Sequence, residues 1–155
     1  MSTATVDKAA PTFTAEATSE QTITLSDLAG KNVILYFYPK DSTSGCTLEG
    51  QNFRDNMKEF EKLNTVIFGV SRDSLKSHEN FKSKECFPFD LLSDPEEELC
   101  KKFDVIKEKN MYGKKHMGIE RSTFLIDEKG VLRQEWRKVK VPGHVNEVLE
   151  AVKAL

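Results

Sequence analysis

At 155 residues, with 23 basic against 25 acidic side chains and a net charge of -2, the chain is long enough for one domain with a core of its own and no disulfide staples. The near balance of charge argues against a sequence-wide basic surface for nucleic acid or for an anionic membrane. No apolar run approaches the roughly 18 residues of a membrane span, and the opening MSTATVDKAAPTF lacks the apolar stretch of a secretory signal.

Residues 1–10 read as a flexible N-terminal arm, and residues 11–155 as a single unit. Pro11–Thr14 and Thr22–Thr24 read as short strands of an N-terminal hairpin, joined by the polar segment around Ser19 and Glu20. Leu25–Leu28 gives a short helical turn that Gly30 stops. Val33–Tyr38 is an apolar and aromatic run, too short for an independent helix and rich in strand formers. Pro39 then denies that strand any continuation as a paired ladder. From Cys46 a helical pattern begins, with Phe53, Met57 and Phe60 on one face and an end near Lys62.

Thr65–Val70 reads as a second buried strand, and Ser74 suits the cap of a helix containing Leu75, His78, Phe81 and Lys84. Phe89–Leu92 is a third short strand. Asp94 caps a brief helix with Pro95 at its favoured first position. Val105–Gly118 reads as a basic, glycine-containing loop, a solvated surface in the main. Ser122–Asp127 and Val131–Trp136 make a hairpin across Glu128–Gly130, with Gly130 suited to positive φ. Pro142 starts a terminal helix whose apolar face is Val145, Val148, Leu149 and Val152. Strands alternating with helices, then a late hairpin, imply an α/β fold: a central mixed sheet flanked by helices on both faces.

Three cysteines, none in CxxC spacing, fit a reducing, cytoplasmic setting in which a thiol is kept for reactivity and not for stapling. Cys46 stands where a strand hands over to the first turn of a helix. Unpaired N–H groups and the positive dipole end at such a turn stabilise an anion, so a thiol there is pushed toward thiolate. The bland alternative is a small buried hydrophobe. Gly45 in the preceding turn favours the reactive reading, because it opens the turn beside several backbone donors.

The string PxxxTxxC formed by Pro39, Thr43 and Cys46, with Glu49 three residues on, resembles the active-site motif of the peroxiredoxins. FYPKD, CTLEG, FRD, GVSRDS, LLSD, GIERSTFLID and VPGH, in that order, are similar to the bacterioferritin-comigratory-protein or peroxiredoxin Q branch, from about Pro11 to the end. The resemblance implies a thioredoxin-like fold and a thiol-dependent peroxidase acting on hydrogen peroxide and organic hydroperoxides. It implies Cys46 as the peroxidatic cysteine, passing through a sulfenic acid. Thr43 would hydrogen-bond the peroxide and the attacking sulfur, and Arg121 would stabilise thiolate and transition state. Pro39 would shield the site from water, Glu49 would hold the arginine, and backbone N–H groups around Gly45 would complete the pocket. No metal or cofactor is implied. Thioredoxin, or a glutaredoxin with glutathione, would return the sulfur to the thiol, and the enzyme would be a monomer.

Taken singly, Thr43 as a turn brace, Arg121 as a surface charge and Pro39 as a strand stop are the simpler readings. Their joint appearance at family spacing is what those readings do not explain.

Two departures from the family pattern stand out. Ser44 replaces the usual proline, which frees the backbone of the loop. The two family positions for a resolving cysteine hold Gln51 and Lys82. Cys86, four residues beyond Lys82, is the candidate resolving thiol; the alternative is a packed residue at a helix end. Cys100, between Leu99 and Phe103, reads as core. A one-cysteine cycle with an external thiol is slightly favoured. His78, His116 and His144 show no metal-site spacing. Two other classes compete: a thioredoxin-type oxidoreductase, which the missing CxxC disfavours, and a non-enzymatic redox sensor or holdase.

Overall fold

The computed structural model describes residues 4–155. Its centre is a seven-stranded mixed sheet in the order β2-β1-β5-β4-β3-β8-β9. The strands are β1 (Thr14–Ala17), β2 (Gln21–Thr24), β3 (Asn32–Phe37), β4 (Thr65–Ser71), β5 (Asp90–Ser93), β8 (Ser122–Ile126) and β9 (Leu132–Trp136). β3, β4 and β5 run parallel; the remaining pairings are antiparallel.

All six residues of β3 are buried, because the strand is central and both faces of the sheet are covered. Val33, Leu35 and Phe37 point into one layer with Phe103, Phe124 and Cys100. Ile34 and Tyr36 point into the other, with Phe53, Phe81 and Val148. That second layer is supplied by α1 (Ser44–Asp55), α2 (Met57–Lys62), α3 (Leu75–Glu85) and α5 (His144–Lys153), and the first by the short α4 (Glu98–Lys102).

Several boundaries differ from the sequence reading, each for a local reason. The first hairpin lies three residues later on its leading strand, and Ser19 and Glu20, both at positive φ, make its turn. The helix expected to run from Cys46 to Lys62 breaks at Asn56. That side chain donates to Asn52 O at 2.8 Å and competes with the backbone ladder. Asp94 does cap α4, accepting from Leu99 N and Cys100 N, yet Pro95 precedes the helix, because Glu97 sits at φ 61 and the helix starts only at Glu98.

The basic loop is in fact a hairpin, β6 (Ile106–Met111) with β7 (Lys114–Ile119). Tyr112 and Gly113, both at positive φ, close it as a two-residue turn. The arm is anchored over its later part: Asp7 N, Ala10 N and Lys8 O bond to the 130–132 segment, and Ala9 bridges to Val131. α5 begins at His144, after Gly143 at φ 79, with the expected four residues buried. Among the described residues no helix is long and apolar enough to cross a membrane.

Candidate active site

The carboxyl end of β3 delivers the chain to the site. Tyr38 N still bonds Val70 O, and Pro39 follows in a half-buried bend. After the loop, Thr47 N to Thr43 O is the first backbone bond of α1. The N–H groups of Ser44, Gly45 and Cys46 therefore have no acceptor in the helix ladder and surround its start. Cys46, in that first turn, is 1% exposed and packs with the Tyr36 and Phe53 layer.

Arg121 arrives from the neighbouring strand. β8 pairs antiparallel with β3, and the register sets Ser122 opposite Phe37. Arg121, one residue earlier, is thereby brought alongside the chain leaving β3. Its Nη2 donates to Cys46 Sγ at 3.4 Å, and its Nη1 donates to Glu49 Oε1 at 2.6 Å. One rigid fork thus serves two groups that lie three residues apart on one helix face. Gly45 makes room: a Cβ there would lie 3.2 Å from Arg121 Nη2.

The charges in this corner constrain one another. Burial pulls the Arg121 guanidinium down, but Glu49 and Cys46 outweigh it and hold the pKa above its usual value. Glu49 is fully buried, and its Oε2 has no hydrogen-bond partner among the described residues. Burial pushes its carboxyl up to about 7 against the opposing pull of Arg121. His144, whose Nε2 lies 2.7 Å from Thr123 Oγ1, is pushed down to about 4, by burial first and then by Arg121. It stays neutral at physiological pH.

The resemblance groups Cys46, Arg121, Glu49, Gly45, Pro39 and Thr43 in one site, and the first four are in mutual contact or adjacent in chain. Thr43 differs. Its hydroxyl donates to Lys40 O at 2.9 Å, bracing the turn, and not to the sulfur.

Cys86 lies at the C-terminus of α3, exposed and at φ 56. Its neighbours dock on α1. The Phe87 ring lies so close to Gly50 that a Cβ there would collide at 2.3 Å, while Gln51 Nε2 and Arg54 Nη1 hold Glu85 at 2.8 Å. Cys100 is fully buried in the opposite layer; burial and the Asp94 carboxylate push its thiol up, as suits a packing residue.

The sequence reading assigns no role to Asp41, Asp73 or Lys109, and weighs His78 only as a metal ligand. Asp41, Asp73 and His78 place ligand atoms within 4.8 Å of one another. They are already engaged: Asp41 accepts from Tyr38 and Ser77 and faces His78, while Asp73 Oδ2 accepts from Asp41 N and Ser71 Oγ. Lys109, on the unforeseen hairpin, packs its methylenes on Gly118, 3.3 Å from where a Cβ would stand. Burial, then the charge of Arg121, draws its pKa down. The only hint of His78 was its place three residues before Phe81, on the buried side of α3.

A dry thiol held against a guanidinium at a helix start is equipped to attack a peroxide bond, and with this sheet it defines a thiol peroxidase of thioredoxin-like fold. The chain belongs to the AhpC/TSA family, whose pattern it matches over residues 6–135. It is 59% identical to Peroxiredoxin Bcp of Xanthomonas campestris pv. campestris over 131 residues, covering 84% of this chain and 82% of that one. It is 51% identical to Peroxiredoxin Bcp of Bacillus subtilis over 148 residues, 96% and 94% of the two chains.

Among solved structures, Xanthomonas campestris Peroxiredoxin Q superposes with a TM-score of 0.88 at 54% identity, covering 92% of this chain and 90% of that one. A cysteine-to-serine mutant of Xylella fastidiosa PrxQ superposes at 0.93 with 44% identity, over 99% and 98%. The Xanthomonas protein has also been solved as two single cysteine-to-serine mutants at positions 36 residues apart; in this chain the residue 36 past Cys46 is Lys82. The chain is a peroxiredoxin, a thiol-dependent peroxidase that takes a peroxide substrate and a thiol reductant.

Proposed function

We propose that Cys46 is the peroxidatic residue and reacts as a thiolate with hydrogen peroxide and alkyl hydroperoxides. The sulfur attacks the terminal oxygen and the O–O bond breaks. The leaving hydroxide or alkoxide takes up a proton as water or alcohol, and Cys46 becomes a sulfenic acid. Arg121 offsets charge on the sulfur and on the departing oxygen, and Glu49 keeps the guanidinium in place. Gly45 admits it, Pro39 limits water, and Thr43, its hydrogen committed to Lys40 O, offers its oxygen as an acceptor to the bound peroxide. The single observation that carries this reading is the 3.4 Å contact of Arg121 Nη2 with Cys46 Sγ, made while Nη1 stays on Glu49. Alkyl peroxides are included because a structure of the Xanthomonas campestris Bacterioferritin Comigratory Protein concerns its alkyl peroxide reduction activity.

An external thiol resolves the sulfenic acid with loss of water, and a second thiol frees Cys46. Thioredoxin, or a glutaredoxin with glutathione, supplies these electrons to a monomeric, cytoplasmic enzyme. A second reading makes Cys86 the resolving thiol, and the docking of Glu85 and Phe87 on α1 favours it. Intact mass spectrometry after one equivalent of peroxide separates the two. Gain of one oxygen at Cys46 supports the one-cysteine cycle; loss of two hydrogens with a Cys46–Cys86 linked peptide supports internal resolution. Neither change at Cys46 would refute the proposal.

A further inference from the structure

The loop between β3 and α1 has no ladder to hold it, yet it aims the reacting sulfur. Lys40 and Ser42 face solvent, whereas Asp41 between them is 6% exposed and turns inward. Its Oδ1 accepts from Tyr38 OH at 2.6 Å. Its Oδ2 accepts from Ser77 Oγ at 2.7 Å and lies 2.7 Å from His78 Nδ1. Asp41 N donates to Asp73 Oδ2 at 2.9 Å. His78 is wholly buried, and its other ring nitrogen, Nε2, lies 2.9 Å from Leu92 O on β5.

A carbonyl oxygen only accepts, so Nε2 carries a hydrogen toward Leu92 O, and Nδ1 is left facing Asp41 Oδ2. Burial pushes the Asp41 carboxyl up, but the bonds from His78, Tyr38 and Ser77 outweigh it and hold it below its usual range. The pair is faced by Tyr38 from the strand end, Ser77 from α3, Asp73 from the β4–α3 turn and Leu92 O from β5.

We propose that Asp41 and His78 are positioning residues of the peroxide reaction, a buried hydrogen-bonded pair that fastens the loop leading through Thr43 into Cys46 to α3 and β5. The proposal rests on Cys46 as the reacting thiol. The two half-reactions ask opposite things of this fastening. Oxidation needs the sulfur, Arg121 and the helix-start donors held in one geometry. Reduction needs a sulfur that is 1% exposed to come out and meet a second thiol. Loosening the pair therefore slows the first step and speeds the second.

The test is stopped-flow kinetics on His78→Gln and Asp41→Asn. Oxidation of Cys46 by hydrogen peroxide should slow roughly tenfold to hundredfold, while single-turnover reduction of the oxidised enzyme by dithiothreitol should speed up. Unchanged oxidation, or an equal fall in both rates, would overturn the proposal; the equal fall is what plain destabilisation gives. Should those variants not fold, Ser77→Ala, which removes one bond to Asp41, is read in the same two steps. Slower oxidation with faster reduction, both smaller in size, is expected; no change in either rate would overturn the proposal. Loss of all peroxide reaction in Cys46→Ser tests the prior assignment independently.

Discussion

Cys46 and Cys100 are each the third residue of a helix, and each is at most 1% exposed, yet they lie on opposite faces of the sheet. At α1 the N–H groups ahead of Thr47 have no acceptor in the helix ladder, and a guanidinium approaches the sulfur. At α4 the corresponding donors are taken: Asp94 accepts from Leu99 N at 3.1 Å and Cys100 N at 2.8 Å, setting a negative charge beside the second sulfur. A helix start alone does not make a reactive thiol. On the proposed reading, the sign of the nearest charge, and whether the donors are already occupied, separate the cysteine that does chemistry from the one that packs.

The largest effect that tests this contrast is the loss of Cys46. Cys46→Ser should abolish peroxide consumption in the presence of excess thiol reductant, measured by the fall in peroxide concentration. Residual steady turnover would move the chemistry to another residue.

Glu49→Gln should split activity from stability. The folded carboxyl, at about 7, binds its proton more tightly than the unfolded one at 4.5. Its favourable contribution is thus present below 4.5 and is lost as pH rises through 7. The glutamine variant should be more stable than wild type by up to about 3 kcal/mol above pH 7, and no more stable below pH 4.5. Denaturant melts across that range measure it. Peroxide reduction should fall at the same time, since Arg121 loses its charged anchor.

The smallest effect belongs to the other cysteine. Cys100→Ala should leave peroxide turnover within about twofold and cost about 1 kcal/mol in stability, the mark of a packing residue. A large loss of turnover with the fold intact would erase the distinction between the two sites.

What could be read from the sequence was local. The β3–loop–α1 unit announces itself by an apolar run, a proline, a glycine and a helical repeat within two dozen residues. Arg121 lies 75 residues beyond Cys46, and nothing in its own neighbourhood says that Ser122 pairs with Phe37. Only the resemblance put it in the site. Asp41 and His78, 37 residues apart, meet because the loop and α3 cross above β5, and no local pattern encodes that crossing. β6 and β7 escaped notice because their lysines and glutamate leave no apolar alternation; the Tyr112–Gly113 turn was their one legible mark. Thr43 was assigned by motif, while its hydroxyl follows the turn chemistry that its immediate sequence predicts.

The central claim, that Arg121 makes Cys46 the reactive thiol, is tested most directly by the second-order rate of sulfenic acid formation at Cys46 in wild type and Arg121→Ala. The rate should fall by about 10²–10³-fold, the usual consequence of removing a fixed donor from a developing anion. An unchanged rate, with Cys46 still oxidised ahead of Cys86 and Cys100, would contradict the account.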